Sequence, residues 1–164
     1  MKNPDPIPMC VLVTGGSGFI GSAVCLALIR SGMRVVNVDK LTYAANPRSL
    51  AEIAGHARYA FERADICDRA AIDAILARYR PAAVLHLAAE SHVDRSITGS
   101  APFIDTNVVG TYQLLEAVRG YCAVLAAEAR ARFRFVHVST DEVFGSLGAE
   151  GLSLIHISEP TRPY

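Results

Sequence analysis

Short apolar runs rich in β-branched residues alternate along the chain with longer segments in which apolar residues recur every three or four positions. The runs predict buried strands at 9–14, 34–39, 59–63, 83–87 and 134–140. The longer segments predict helices at 18–31, 48–54, 69–79 and 102–132, the last of which is Ala-rich and expected to bend or break near Gly120. Strands and helices that alternate with short connections predict a parallel sheet with helices on both faces, a doubly wound α/β fold.

A glycine-rich turn separates the first predicted strand from the first predicted helix. Its sequence, TGGSGFIGS, contains Gly15, Gly18 and Gly21. In a dinucleotide-binding turn of this kind, the first glycine permits the tight turn, the second lets the backbone approach a pyrophosphate and the third lets the helix pack on the strand. The helix N-terminus then supplies free N–H groups to the phosphates. The spacing alone is a weak signal, because many α/β proteins have glycine-rich turns that bind nothing.

Asp39 ends the second predicted strand and supports the same interpretation. A carboxylate at this place accepts hydrogen bonds from the hydroxyls of an adenosine ribose and repels a 2′-phosphate, so NAD is favoured over NADP. Lys40 is the counter-argument, because a cation beside the acid could tolerate that phosphate. On the carboxylate we predict a Rossmann-like domain with NAD as its cofactor.

Composition excludes several classes of protein. Sixteen Lys and Arg balance sixteen Asp and Glu, so no overall field attracts nucleic acid or an anionic membrane surface. The apolar runs are far shorter than the ~20 residues of a membrane span, and the first thirteen residues contain no signal-peptide core. The four Cys lie at irregular spacings and no set of His, Cys and carboxylates has metal-ligand spacing, which predicts reduced thiols in a cytoplasmic protein without a metal.

Five further strings narrow the interpretation. They are DKLTYAAN at 39–46, DICD at 65–68, HLAAESHVDRS at 86–96, NVVGTY at 107–112 and STDEVFG at 139–145. With the glycine loop, and in this order, they resemble the dTDP-glucose 4,6-dehydratase family of extended short-chain dehydrogenase/reductases over nearly all of 9–148. The resemblance implies an intact enzyme that is an NAD-dependent lyase acting on dTDP-glucose, and the Ala-rich 102–132 region resembles the helices with which the family forms homodimers.

The resemblance also implies a cofactor site. Its residues besides the three loop glycines would be Phe19, Ile20, Asp39, Lys40, Leu41, Thr42, Asp65, Ile66, Leu87, Ala88, Ala89 and Thr106. Phe19 and Ile20 would line the pyrophosphate turn, the segment 39–42 would hold the adenosine ribose, and Asp65 with Ile66 would border the adenine. The small residues after the fourth strand would let a nicotinamide ribose lie against the backbone.

The catalytic residues implied by the resemblance are Thr140, Asp141 and Glu142, where the fifth predicted strand ends. In the family, NAD takes a hydride from sugar C4 and later returns it to C6. Glu142 would remove the C5 proton, Asp141 would protonate the departing C6 hydroxyl, and Thr140 would bind the C4 oxygen. Ser91 is a candidate substrate contact. Without the family, two adjacent acids here would more simply be the first turn of a helix.

The sequence departs from the family in three places. The family's Tyr-x-x-x-Lys pair is missing, since neither Lys2 nor Lys40 follows a Tyr by four positions, and Phe144 stands where the family usually has Tyr. Residues 152–164 continue no family pattern, and LSLIHISEPTR at 152–162 reads as eleven codons of a transposase adapter used in library preparation. We therefore expect an incomplete NAD-binding domain at 1–151, truncated after about five strands, a non-native tail at 152–164, and little or no activity.

Three alternatives stay open at this point. The intact protein could be another nucleotide-sugar enzyme of the superfamily, such as a 4-epimerase or a decarboxylase, although the acids at 141 and 142 argue against it. It could be a non-catalytic NAD-binding module. The chain as written could also lack a stable fold, because a sheet without its last strand exposes an edge. The nucleotide base of the substrate is not specified by these residues.

Overall fold

The computed structural model describes residues 8–91 and 99–140. Within them, five strands form one parallel sheet in the order β3-β2-β1-β4-β5. The strands are β1 (Cys10–Thr14), β2 (Arg34–Val38), β3 (Tyr59–Glu62), β4 (Ala83–His86) and β5 (Arg134–His137). The predicted Rossmann-like, doubly wound architecture is confirmed. The strand order reverses between β1 and β4, and a crevice at the carboxyl ends of these strands is the usual ligand site of such a sheet.

Helices cover both faces of the sheet. They are α1 (Phe19–Arg30), α2 (Arg69–Tyr79), α3 (Thr111–Ala123) and the short α4 (Ala127–Arg132). Side chains of a strand point alternately to opposite faces, and β1 shows this directly: Val11 and Val13 pack with α1, whereas Cys10 and Leu12 pack with α2 and α3. All five residues of β1 are buried, so the central strand is covered from both sides.

The predicted helix at 48–54 is wrong in type. A 3₁₀ helix covers Pro47–Leu50 and turns follow it. Its N–H groups bond three residues back, from Ala51 to Arg48 and from Ile53 to Leu50. Leu50 and Ile53 are both buried against the α1 face of the sheet, and a turn of three residues aligns positions three apart on one side.

The predicted single helix at 102–132 is interrupted, but not at Gly120. A helical turn at Ala101–Phe103 continues as a π-helix at Ile104–Gly110 and then as α3, and the break comes at 124–126 before α4. Gly120 lies inside α3 with nothing closer than 3.5 Å to a methyl group added there, and an isolated glycine is tolerated within a helix. The chain turns after α3 because it must return to β5, where Phe133 packs edge-on against Tyr121 at 5.8 Å.

Candidate functional site

A cavity of about 380 Å³ lies at the carboxyl ends of β1, β2 and β4. Fourteen of the fifteen predicted cofactor residues line it: Gly15, Gly18, Phe19, Ile20, Gly21, Asp39, Lys40, Thr42, Asp65, Ile66, Leu87, Ala88, Ala89 and Thr106. Leu41 is the fifteenth and does not line it. The structure therefore brings together residues that are spread over more than ninety positions of the sequence, at the edge where the strand order reverses.

The glycine loop is shaped by close backbone contacts. Gly15 has φ +70°, and a Cβ added there would lie 2.7 Å from the backbone nitrogen of Ala88. A Cβ on Gly21 would collide with the carbonyl oxygen of Gly15. The first position therefore requires a left-handed conformation and room for the β4 segment, and the third requires room for the turn itself. The tight turn at Gly15 agrees with the role predicted from the sequence, whereas Gly21 makes room for the loop backbone and not for the packing of the helix on the strand that the sequence predicts.

Asp39 connects the end of β2 to the glycine loop. The Ser17 N–H donates to one carboxylate oxygen of Asp39 at 2.9 Å, and the Leu41 N–H donates to the other at 2.8 Å. Leu41 has φ +61°, so its contribution is a backbone N–H in a tight turn and not a side chain on the cavity. Ser17 was missed by the sequence interpretation, because a backbone donor has no side-chain signature.

Lys40 extends towards the end of β3. Its ammonium donates to the Thr106 hydroxyl at 3.1 Å and lies 3.4 Å from a carboxylate oxygen of Asp65. The other oxygen of Asp65 accepts from the Cys67 N–H at 3.0 Å. Burial alone would raise the pKa of Asp65, but the hydrogen bonds from Cys67 and the charge of Lys40 outweigh it and lower the pKa. Asp65 is therefore ionised near neutral pH.

The π-helix explains how Thr106 reaches the cavity. Thr106 and Gly110 are its buried residues, and a Cβ on Gly110 would lie 2.8 Å from Ile66 and 3.1 Å from the Cys67 sulfur. The wider turn and the missing side chain let this segment pack closely against the loop that follows β3. π-helical turns are rare and occur often at functional sites.

A buried relay of three side chains supports the β4 side of the cavity. The Thr14 hydroxyl accepts from the N–H groups of Leu87 and Ala88, each at 3.2 Å. Since both lone pairs of that oxygen are used, its hydrogen is donated to His86 Nδ1, 2.7 Å away. His86 Nε2 then carries the proton and donates to the Thr111 hydroxyl at 3.0 Å. The relay holds the backbone at Leu87 and Ala88 in place.

His86 is uncharged in this relay. Burial, and next the nearby His137, lower the pKa of His86 to about 4. His86 is the last residue of β4 and is buried. His137 lies in β5 and is exposed, although its ring contacts the ring of His86 edge-on, with 4.9 Å between the centroids.

Two loops approach each other at the mouth of the cavity. The Tyr43 hydroxyl, in the loop after β2, donates to a carboxylate oxygen of Glu90, in the loop after β4, at 2.9 Å. Glu90 is itself held by Asn107, which exchanges two hydrogen bonds of 2.8 Å with its backbone. Glu90 lines the cavity as well. Neither Glu90 nor Asn107 was singled out from the sequence, although both lie in strings that carried the family resemblance.

Of the predicted substrate and catalytic residues, the structure describes Ser91 and Thr140. Ser91 lines the cavity. Thr140 is exposed and does not line it, although Val138, two residues earlier, does. Asp141 and Glu142 lie outside the described residues, as do Phe144 and the tail at 152–164.

The site fits a dinucleotide better than a metal ion. No group of three His, Cys, Asp or Glu side chains within 8–91 and 99–140 is arranged to hold a metal. By contrast, Gly15 and Gly21 let the backbone turn tightly at the start of α1, where free N–H groups can bind a pyrophosphate, and Asp39 is the carboxylate at the end of β2 that ribose hydroxyls require. No helix in the described part of the chain is long and apolar enough to cross a membrane.

Residues 12–164 match the family model described as GDP-mannose 4,6 dehydratase. The chain belongs to this family. Its curated relatives include dTDP-glucose 4,6-dehydratases from Neisseria meningitidis serogroup B, 61% identical over 139 residues, and from Escherichia coli K12, 60% identical over 140 residues. These matches cover 84% and 85% of the chain but 39% of each relative. The chain therefore spans about two fifths of the length of these family members.

Solved structures similar to the chain have the same fold. The dTDP-glucose 4,6-dehydratase of Streptomyces venezuelae, a complex with NAD and TYD, has a TM-score of 0.74 and 40% identity over 86% of the chain and 42% of that protein. The UDP-glucose 4-epimerase of Thermus thermophilus, a complex with NAD, has a TM-score of 0.62 and 33% identity over 69% of the chain and 34% of that protein. Two activities thus share the architecture described above.

Proposed function

We propose that the chain is the NAD-binding part of a dTDP-glucose 4,6-dehydratase. The observation that carries the proposal is the single cavity lined by the glycine loop, Asp39 and Leu87–Ala89, in a chain about 60% identical to dTDP-glucose 4,6-dehydratases. The NAD complexes among the similar structures support the choice of cofactor. The epimerases among those structures are 31–36% identical to the chain, whereas the curated dTDP-glucose 4,6-dehydratases are about 60% identical, which favours the dehydratase over the 4-epimerase alternative.

Each part of the cavity has a role in this proposal. The N–H groups at the start of α1 bind the pyrophosphate, beside the exposed side chains of Phe19 and Ile20. Asp39 accepts from the adenosine ribose, and Asp65 with Ile66 borders the adenine. The segment 87–89 faces the nicotinamide ribose. When bound, NAD accepts a hydride from a sugar carbon and later returns one.

The proposed acid–base residues follow β5 in the sequence. We propose that Glu142 removes the C5 proton of the sugar and that Asp141 protonates the C6 hydroxyl as it leaves, so that one water is lost. Thr140 donates a hydrogen bond to the C4 oxygen and Ser91 contacts the sugar. Support comes from the sheet: β5 pairs with β4 in parallel, so its carboxyl end is next to the cavity that Val138 and Ser91 line.

We also propose that the intact enzyme is a homodimer. Ile104, Val108, Tyr112 and Leu115 are 54%, 58%, 58% and 45% exposed, and their spacing of three and four residues forms one apolar stripe along the π-helix and α3. Such a stripe is typical of a helical surface that packs against a partner. Light scattering of the full-length protein, with Tyr112→Glu as the disrupting variant, tests this.

The chain of 164 residues should not catalyse dehydration by itself. Neither Lys2 nor Lys40 follows a Tyr by four positions, so these residues contain no Tyr-x-x-x-Lys pair. Turnover of dTDP-glucose, measured as the alkali-induced absorbance of the keto sugar, would contradict this. Full-length protein tested on dTDP-glucose and UDP-sugars separates the dehydratase from an epimerase or decarboxylase, and the absence of any turnover there would favour a non-catalytic NAD-binding module.

Cofactor binding is the sharpest test of the proposal. Isothermal titration of the chain with NAD should give saturable binding, and Asp39→Ala should weaken it at least about tenfold because a charge-assisted hydrogen bond is lost. Asp73→Ala is the matched control, since Asp73 is a carboxylate on α2 that pairs with Arg69 and does not line the cavity. Equal affinities of the two variants would contradict the proposed site.

We propose a separate origin for residues 152–164, namely the translation of a transposase adapter. The support is the run of eleven consecutive residues at 152–162 that equals the translation of the adapter. The opposing observation is that the family match extends to residue 164. Sequencing of the source locus decides between them. An uninterrupted reading frame without adapter sequence would contradict the proposal.

A further inference from the structure

Lys40, which follows Asp39 in the sequence, already has two polar partners in the structure. Among the charged residues that line the cavity in the described part of the chain, Asp39, Asp65 and Glu90 are acidic and Lys40 is basic. The ammonium of Lys40 is within reach of the Asp65 carboxylate, at 3.4 Å, and the Thr106 hydroxyl, at 3.1 Å. Two partners on different elements therefore hold this side chain.

We propose that Asp65 and Thr106 determine cofactor specificity by sequestering Lys40, so that it cannot pair with the 2′-phosphate of NADP. This inference rests on the proposed NAD-binding function. It adds a second cause of NAD preference to the repulsion expected from Asp39. Lys40 could neutralise a phosphate at the ribose, but its ammonium is held near the loop after β3.

The contacts that hold Lys40 can be removed by single substitutions without loss of the fold. Lys40 and Asp65 side chains are 33% and 39% exposed, so the pair is partly solvated and contributes little to folding stability. Thr106 is buried at 4% exposure and therefore gives the ammonium a fixed partner. A lysine released from both would regain the freedom of its long side chain while remaining next to Asp39 in sequence.

Asp65→Asn is the first variant for the test. Asparagine keeps an oxygen that can accept from the Cys67 N–H, so the loop after β3 retains its hydrogen bond, but the charge that holds Lys40 is removed. Any change in the adenine contact affects NAD and NADP alike, so the ratio of their dissociation constants isolates the 2′-phosphate. We expect the preference for NAD over NADP to fall about tenfold.

The same substitution in a Lys40→Met background separates release of the lysine from loss of repulsion. Without Lys40, Asp65→Asn removes one negative charge and nothing else, so the preference should fall only about twofold. Glu90→Gln is the control for charge at another place in the cavity, in the loop after β4, and should leave the preference unchanged. Thr106→Val removes the second partner at nearly constant volume and should lower the preference about twofold when Lys40 is present.

Titration calorimetry of the chain with NAD and with NADP gives every value needed. The proposal is overturned if Asp65→Asn lowers the preference by the same factor with and without Lys40, or does not lower it. If Asp65→Asn does not fold, the Thr106→Val result, with and without Lys40, decides in the same way. If the wild-type chain binds NAD but no variant changes the preference for NAD over NADP, the specificity proposal alone is refuted. If the wild-type chain binds neither dinucleotide, the proposed function and this inference are refuted together.

Discussion

The two ends of the cavity are built in different ways. At the β2 end, the charged side chains of Asp39, Lys40 and Asp65 face the cavity and are held by backbone N–H groups and by one another. At the β4 end, Thr14 and His86 are buried and uncharged, and they hold a stretch of backbone. The comparison teaches that changes at the first end should alter which ligand binds, whereas changes at the second should alter the stability of the fold.

The largest effect is expected where the two ends touch. Gly15→Ala places a Cβ 2.7 Å from the Ala88 nitrogen and 2.9 Å from the Leu87 carbonyl carbon, on a backbone with φ +70°. We expect a loss of about 4 kcal/mol in the free energy of unfolding, measured by urea denaturation, because backbone strain and overpacking add.

Gly32→Ala is the matched control for Gly15→Ala. Gly32 also has a positive φ, of +89°, but nothing lies within 4 Å of an added Cβ. It should therefore cost about 1 kcal/mol, the conformational part alone. Equal costs at the two glycines would show that contact between the loop and the β4 segment carries no energy.

The second effect is a pH dependence located at the β4 end. The pKa of His86 is about 4 in the folded chain and about 6.5 when unfolded, so between these values the unfolded chain binds a proton that the folded chain does not. Stability from His86 is therefore complete above pH 6.5 and is lost as the pH falls towards 4. We expect a loss of about 2.5 kcal/mol between pH 7 and pH 4.5.

Comparison with His86→Gln isolates this contribution from the carboxylates. The variant carries no titratable group at position 86, so its free energy of unfolding should fall less over the same pH range than that of the wild type. Parallel pH profiles of the two proteins would mean that His86 is not held neutral. In that case the β4 end would be charged, and the contrast between the two ends would fail.

The third effect tests the relay without a change of charge. Thr14→Val removes the hydroxyl that accepts from Leu87 and Ala88 and donates to His86. We expect a loss of about 2 kcal/mol in the free energy of unfolding, since His86 Nδ1 and the Ala88 N–H lose these hydrogen bonds, whereas the Leu87 N–H still donates to the Thr14 carbonyl oxygen. Thr14→Ser keeps the hydroxyl and should recover more than half of that loss; if it recovers none, the methyl group and not the relay is responsible.

The smallest effect concerns the hydrogen bond that joins the two ends at the surface. Tyr43→Phe removes the bond from Tyr43 to Glu90 but keeps the ring, which is 47% exposed. A solvent-exposed bond of this kind contributes about 0.5 kcal/mol. Thermal unfolding should show a shift of only a few degrees, and a large shift would place this contact among the supports of the β4 end.

The β2 end was the more predictable of the two from sequence. Gly15, Gly21 and Asp39 are tied to local requirements for a turn, a close approach and a carboxylate, and such requirements leave a signature at fixed spacing. The relay left none, because Thr14 and His86 lie 72 positions apart and Thr and His are common in strands. Their contact depends on β1 and β4 being neighbours, which the order of strands along the chain does not specify.

The elements that were predicted incorrectly fail for a related reason. Apolar periodicity located the helical region at 102–132. The π-helix, however, arises from packing of Gly110 against the loop after β3, and the break at 124–126 arises because the chain must return to β5. His137 lies in a strand and is exposed, because packing requires a neighbour on that face. Long-range contacts decide all three, and periodicity reports local preference alone.

Phe19 begins α1 at the cavity with 95% of its side chain exposed, in a chain that contains no Trp. Phe19→Trp would therefore install a lone indole fluorophore beside the pyrophosphate turn. Its emission would report dinucleotide occupancy in real time, and quenching by a reduced nicotinamide would give association and dissociation rates by stopped flow without labelling any of the four thiols.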